Sequence, residues 1–123
     1  MAAATGVKRF LLTRAINSKI EGLRSNNLVS SGIWDALVFK KMKLLMGGRV
    51  KLMITGSAPI AGEVTEFLKV CFCCPISQGY GMTESSAGSF LQFLDEHSSG
   101  NCGGPLANIK YKLKSIPEMG YDA

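Results

Sequence analysis

Two short segments carry residue types and spacings that can do chemistry. One is Thr55-Gly56-Ser57-Ala58-Pro59, and the other is Gly79-Tyr80-Gly81-Met82-Thr83-Glu84. Glycines let backbone come close to a ligand and leave N–H and C=O groups free for it. Tyr80 offers a flat face on which a purine can stack. Thr83 offers a short hydroxyl for a phosphate oxygen. Glu84 offers a hard carboxylate, the kind of ligand that suits Mg²⁺ partly held by phosphates. Together these groups suit a magnesium nucleotide. The same residues also fit a plain turn, in which Tyr80 packs and Thr83-Glu84 cap the next helix; short motifs alone do not separate the two readings.

Both segments need elements to hold them. Val50-Lys51-Leu52-Met53-Ile54 is a short run, apolar on both faces, that reads as a buried parallel strand ending at the first segment. Residues 62–71 read as a helix, with Val64, Phe67, Leu68 and Cys71 on one face. Pro75-Ile76-Ser77-Gln78 reads as a second strand that stops at Gly79. The unit 49–80 is therefore a strand–helix–strand crossover with parallel strands. In an open sheet of this kind, ligands lie outside the carboxyl ends of the strands, where both glycine segments fall. Further strands are expected near 88–94 and 109–116, separated by a loop, Gly100-Asn101-Cys102-Gly103-Gly104-Pro105.

Upstream, residues 7–20 read as a helix with Leu12, Ala15, Ile16 and Ile20 inward and Arg14 and Lys19 turned elsewhere. Residues 21–31 read as a loop. A second helix covers 32–46, with Trp34, Val38, Met42 and Leu45 on one face. Ser31 is placed to cap its start and Gly47-Gly48 to end it.

At 123 residues and 46% apolar, the chain can bury a core, which argues against wholesale disorder. No stretch approaches the roughly 20 apolar residues of a membrane span, and no secretory signal is visible. The net charge of +5 is uneven. Residues 1–51 hold ten basic and two acidic side chains, and residues 52–123 hold four and seven. A basic half is compatible with nucleic acid or an anionic membrane surface. The cations are scattered among apolar residues, however, which favours a solvated helical surface, and no nucleic acid partner is expected. Cys71, Cys73, Cys74 and Cys102 lack paired C-x-x-C spacing and read as reduced, mostly buried thiols, not as metal ligands. His97 reads as a surface loop residue.

Tyr80-Gly81-Met82-Thr83-Glu84 resembles the Y-G-x-T-E signature of the adenylate-forming enzyme superfamily. Its context is similar to that of the long-chain fatty acyl-CoA synthetases. Trp34-Asp35, Gly47-Gly48-Arg49-Val50-Lys51-Leu52-Met53, Gly56-Ser57-Ala58-Pro59, Glu66-Phe67-Leu68, Cys74-Pro75, Gly100-x-x-Gly103-x-Pro105 and Pro117-Glu118-Met119-Gly120-Tyr121 all occur in that family's order. The likeness is dense from about Ser25 onward and thin over 1–24.

The resemblance implies an α/β fold: a partial adenylate-forming large domain over 1–123, with a basic helical segment (1–46) and a nucleotide-site segment (47–123). It implies activation of a long-chain fatty acid with ATP and Mg²⁺ to an acyl-adenylate, then transfer to coenzyme A. Carried over by position, Gly56, Ser57 and Ala58 line the adenine pocket. Tyr80 stacks on the base between Gly79 and Gly81. Thr83 contacts the α-phosphate, Glu84 holds Mg²⁺, and these two are the catalytic pair.

The family's phosphate loop, its T-G-D motif, the following arginine and the mobile domain with its lysine do not occur in this sequence. The chain therefore reads as a central segment of a synthetase, inactive alone, whose partner is the remainder of that fold. The parent is expected inside the cell at the endoplasmic reticulum or mitochondrial outer membrane, with no anchor in this segment. Cys102, where the family usually has valine, and Ser85-Ser86-Ala87, where a cysteine often begins the stretch, leave the acyl chain length open. A non-catalytic adenine-nucleotide module, or a ligase for another carboxylic acid, is the alternative function.

Overall fold

The computed structural model describes residues 6–96 and 98–123. His97 lies outside them. The protein is a helical corner joined to a small mixed sheet.

Helix α1 (Gly6–Asn26) is longer than its apolar spacing suggests and runs through the stretch expected to be a loop. Two contacts lie in the added stretch. Leu23 is buried, and Arg24 forms an ion pair with Glu66 at 2.7 Å. Asn27 then takes a left-handed conformation (φ 53°), which ends the helix. The inward face is Ala15, Lys19 and Leu23, so Lys19 points into the protein, contrary to expectation, while Leu12 is exposed.

The second helical rod is α2 (Gly32–Trp34), a π turn (Asp35–Phe39) and α3 (Lys40–Leu45). The π turn advances the phase of the helix, which a uniform 3.6-residue period cannot foresee. It sends Phe39 into the core at 0% exposure and leaves Leu45 at 75%. Ser31 makes no side-chain cap. Its backbone N–H instead donates to the Asp35 carboxylate at 2.9 Å.

Strand β1 (Met53–Thr55) is followed by helix α4 (Gly62–Phe72) and strand β2 (Ile76–Met82), and β1 and β2 pair in parallel as expected. The sheet is mixed, with order β1-β2-β3-β4. Strands β3 (Ala87–Leu91) and β4 (Gly104–Pro105) add antiparallel. β1 is an edge strand, and Ile54 on one of its faces is exposed, so the strand is not buried on both faces, contrary to expectation. On α4, Val64 and Phe67 are exposed, whereas Thr65, Lys69, Val70 and Cys71 are buried. Residues 109–116 form no strand. Their alternation is real, but Tyr111 and Leu113 stand in solvent with no neighbouring strand to pair with, and the segment closes with one bridge between Ile116 and Tyr121.

The core sits where α1, the π turn and the end of α4 meet. Ala15, Phe39 and Cys71 fill it, with Ile16, Trp34, Val38, Met42 and Cys73 packed around them. At its edge the Lys19 ammonium donates to Asp35 (2.5 Å), to the Val70 carbonyl (2.8 Å) and to the Cys73 sulfur (3.2 Å), and it lies 4.7 Å from the Phe39 ring centre. A lysine is buried at acceptable cost only when paired and hydrogen-bonded in this way. The cluster ties three helical elements to Cys73, a residue held left-handed at the end of α4. Cys74 and Pro75 then lead directly into β2.

Candidate functional site

The second glycine segment is not a turn after a strand. It is the strand. Residues Gly79, Tyr80, Gly81 and Met82 are the last four of β2, paired with β3. Between Tyr80 and Gly81 the register shifts, as at a β-bulge, a device that redirects side chains at strand ends. The shift demands glycine at 81. A Cβ there would lie 1.6 Å from the Ala87 carbonyl oxygen. So Gly81 first serves the close approach of β3, and only through it the shape of the site. Thr83-Glu84-Ser85 form a single 3-10 turn, and no helix follows for them to cap. The Ser85 hydroxyl holds the turn, accepting from the Met82 N–H at 3.1 Å.

The loop after β1 comes alongside. Gly56 and Ser57 join Gly79, Tyr80, Gly81 and Thr83 around an open cleft of about 830 Å³, with Phe90 and Leu106 on its apolar side. Across the same strand lies a second cleft of about 410 Å³, walled by Ser57, Ala58, Gln78 and the loop Gly100-Asn101-Cys102. Of the residues singled out in sequence, Gly56, Ser57, Ala58, Gly79, Tyr80, Gly81 and Thr83 thus converge on one stretch of backbone. Glu84 lines neither cleft and stands exposed beside Thr83.

Tyr80 is 46% exposed, so its ring is not consumed by packing. One face neighbours Phe90 at 6.1 Å, and Phe90 meets Tyr111 edge-on at 5.3 Å. Ser57 is held left-handed at φ 70°, a strained setting for a residue with a side chain. Among the described residues Glu84 forms no ion pair, and no cluster of three metal-ligating side chains occurs. A hard cation here would rest on Glu84 and on oxygens brought by a ligand, a donor set that fits Mg²⁺.

Sequence reasoning missed Gln78 and Phe90. Gln78 lines the smaller cleft, and its amide oxygen is buried without a donor. Its position just before Gly79 was the available signal, hidden because the strand was ended there. Phe90 becomes visible only through the β2–β3 register.

Comparison with known proteins gives the chain's family. The family profile "AMP-binding enzyme" matches residues 14–122. The chain belongs to the AMP-binding enzyme family. Among curated relatives it is 42% identical over 115 residues to fatty acyl-CoA synthetase A of Dictyostelium discoideum, covering 94% of this chain and 17% of that protein. It is 40% identical over 120 residues to long chain acyl-CoA synthetase 4 of Arabidopsis thaliana, covering 95% and 18%. It is 39% identical over 121 residues to human long-chain-fatty-acid–CoA ligase 1, covering 98% and 17%. The chain spans about a sixth of the length of these AMP-binding relatives. No solved structure matches it. Among the described residues no helix is long and apolar enough to cross a membrane.

Proposed function

We propose that the protein to which this chain contributes is a long-chain fatty acid–CoA ligase, and that residues 47–123 supply one wall of its nucleotide site, with 1–46 as a basic helical support. One observation carries the reading. Two glycine segments far apart in sequence converge on one strand end, with an open tyrosine face and an amide oxygen lacking a donor. The printed names of the relatives supply the substrate class.

In this reading the adenine lies against Tyr80, with Gly56, Ser57 and Ala58 on its edge. Thr83 donates to the α-phosphate and Glu84 holds Mg²⁺. The metal, when bound, neutralises charge on phosphate oxygens. The fatty acid carboxylate attacks the α-phosphorus, a carboxyl O–P bond forms, and the bond to pyrophosphate breaks. The coenzyme A thiol then attacks the acyl carbon and AMP leaves. Thr83 works by being already aimed where negative charge grows, since a fixed donor needs no reorganisation at the transition state. The glycine-shaped wall holds the base so that the α-phosphorus stays in line with its attacker. The rest of the fold grips the remaining phosphates, so the 123-residue chain by itself makes no thioester.

The test is thioester formation by the full-length protein from fatty acid, MgATP and coenzyme A. Thr83→Val and Glu84→Gln are each expected to lower kcat by about a hundredfold, the scale of losing one transition-state contact. Full activity in both variants would overturn the assignment of roles. Activity with short carboxylic acids but not long ones would overturn the substrate class. Thioester made by the 123-residue chain alone would overturn the view that this segment is incomplete.

A further inference from the structure

The smaller cleft has a wall outside the Tyr80–Glu84 segment, the loop Gly100-Asn101-Cys102. A loop of this kind needs an anchor, and both of its ends fasten to one residue, Gln92, which is 2% exposed. At the near end, the Gln92 side-chain amide donates to the Ser98 carbonyl at 2.7 Å. At the far end, Gly103 presses against the Gln92 backbone so tightly that a Cβ would lie 2.4 Å from the Gln92 Cα, and its φ of +71° suits glycine. Between these two points Asn101 braces the loop from within, accepting from the Gly103 N–H at 2.8 Å and donating to the Ser98 hydroxyl at 2.7 Å.

Gln92 is fastened equally firmly to β2. Its backbone N–H donates to the Gln78 carbonyl at 2.9 Å, its carbonyl accepts from the Ser77 hydroxyl at 2.5 Å, and its side-chain oxygen accepts from the Gln78 N–H at 3.3 Å. One buried amide therefore spans the strand that carries Gln78 and Tyr80 and the loop that faces them. Most buried side-chain amides are satisfied, and both ends of this one are.

We infer that Gln92 is a positioning residue that sets the separation between the Gly100–Cys102 wall and the β2 wall of the smaller cleft, and so sets nucleotide affinity without touching the nucleotide. The inference rests on the reading of this cleft as part of an adenine-nucleotide site.

The experiment is calorimetric titration of the full-length protein with AMP, together with its thermal melt. Gln92→Met keeps the volume and removes both side-chain hydrogen bonds. Gln92→Glu keeps the acceptor facing Gln78 and removes the donor to Ser98. Gly103→Ala displaces the wall from its other end and leaves Gln92 in place. All three are expected to raise the Kd for AMP by about fivefold to tenfold, the worth of one or two buried hydrogen bonds. KM for coenzyme A stays unchanged, and kcat stays within a factor of about two of the parent, as for a contact that acts on binding alone. A merely structural role predicts a lower melting temperature with unaltered AMP affinity in the molecules that remain folded, and that result would overturn the inference. So would a Gln92→Glu variant that binds as the parent does, because the loop tie would then carry nothing. If the parent protein itself binds no AMP, the reading of the cleft fails and this inference fails with it. If the parent binds and the variants match it, only the role of Gln92 fails.

Discussion

The helical corner and the glycine-bearing end of the sheet solve opposite problems with the same chain. At the corner, the buried polar groups are spent on the protein itself. The Lys19 ammonium has three acceptors and an aromatic face, and Asp35 takes further hydrogen bonds from Ser30 and Ser31. At the sheet end, groups are left over. Tyr80 is half-open, the Gln78 oxygen has no donor, Glu84 has no ion pair among the described residues, and Ser57 and Ala87 hold left-handed backbone. Saturation marks a region built for stability, and unspent capacity marks one built to receive something. The two are wired in series, since the lysine cluster fixes the end of α4 three residues before β2 begins.

The largest effect is expected from breaking the corner. Lys19→Met leaves the Asp35 carboxylate without its main partner and is expected to cost about 3–5 kcal/mol, the usual penalty for removing one member of a buried ion pair. Chemical denaturation checks this. A loss below about 1 kcal/mol, the worth of a surface pair, would show that the cluster is not a structural tie.

Gly81→Ala attacks the other region. The added methyl must displace the Ala87 carbonyl, and the expected cost is about 1–3 kcal/mol, that of overpacking. Nucleotide binding is expected to fall further than stability does. A variant that loses stability but binds normally would separate the bulge from the site and blunt the contrast between the regions.

Acid sharpens the contrast. Burial pushes the Asp35 carboxyl up, but the hydrogen bonds from Lys19, Ser30 and Ser31 outweigh burial and hold it below its ordinary value. A carboxyl depressed in the folded state contributes stability above its unfolded value, and that contribution is lost as pH falls through the folded value. Asp35 accordingly stabilises the corner at neutral pH, begins to lose that contribution as pH falls past the ordinary carboxyl value of about 4, and has lost it only below its own depressed value. Asp35→Asn is expected to be less stable than the parent at pH 7 and to lose less on acidification. Parallel pH curves for the two proteins would contradict this.

The smallest effect is expected at the rim of the corner. Arg24 reaches Glu66 in good geometry but from solvent, where water and salt screen the pair. Arg24→Ala is expected to leave the melting temperature nearly unchanged. A large drop would mean that the length of α1, not the buried cluster, holds the corner together.

How much of this was legible in the sequence follows the same division. The crossover unit, the parallel β1–β2 pair and the convergence of the two glycine segments follow from local texture and from where ligands sit in open sheets. The candidate site residues stand out in sequence because their types are chemical. The inward turn of Lys19 is not visible in the sequence, because the partners that satisfy it lie 16, 51 and 54 residues away. Phe39 was hidden by a π turn, which shifts phase by an amount no uniform period encodes. The strand expected at 109–116 has the right alternation but no neighbour to accept its hydrogen bonds, and pairing is a property of two segments. Gln92 reads as an ordinary polar residue until the loop over it is seen.

The proposed role of the open sheet end is to bind adenine through Tyr80. The most direct measurement is titration of AMP into the full-length protein and its Tyr80→Ala variant, each checked for an unchanged melt. Base stacking on an aromatic ring is worth about 1–3 kcal/mol, so Tyr80→Ala is predicted to weaken binding by about tenfold or more while the folded state persists. Equal affinity in the two proteins would contradict the account.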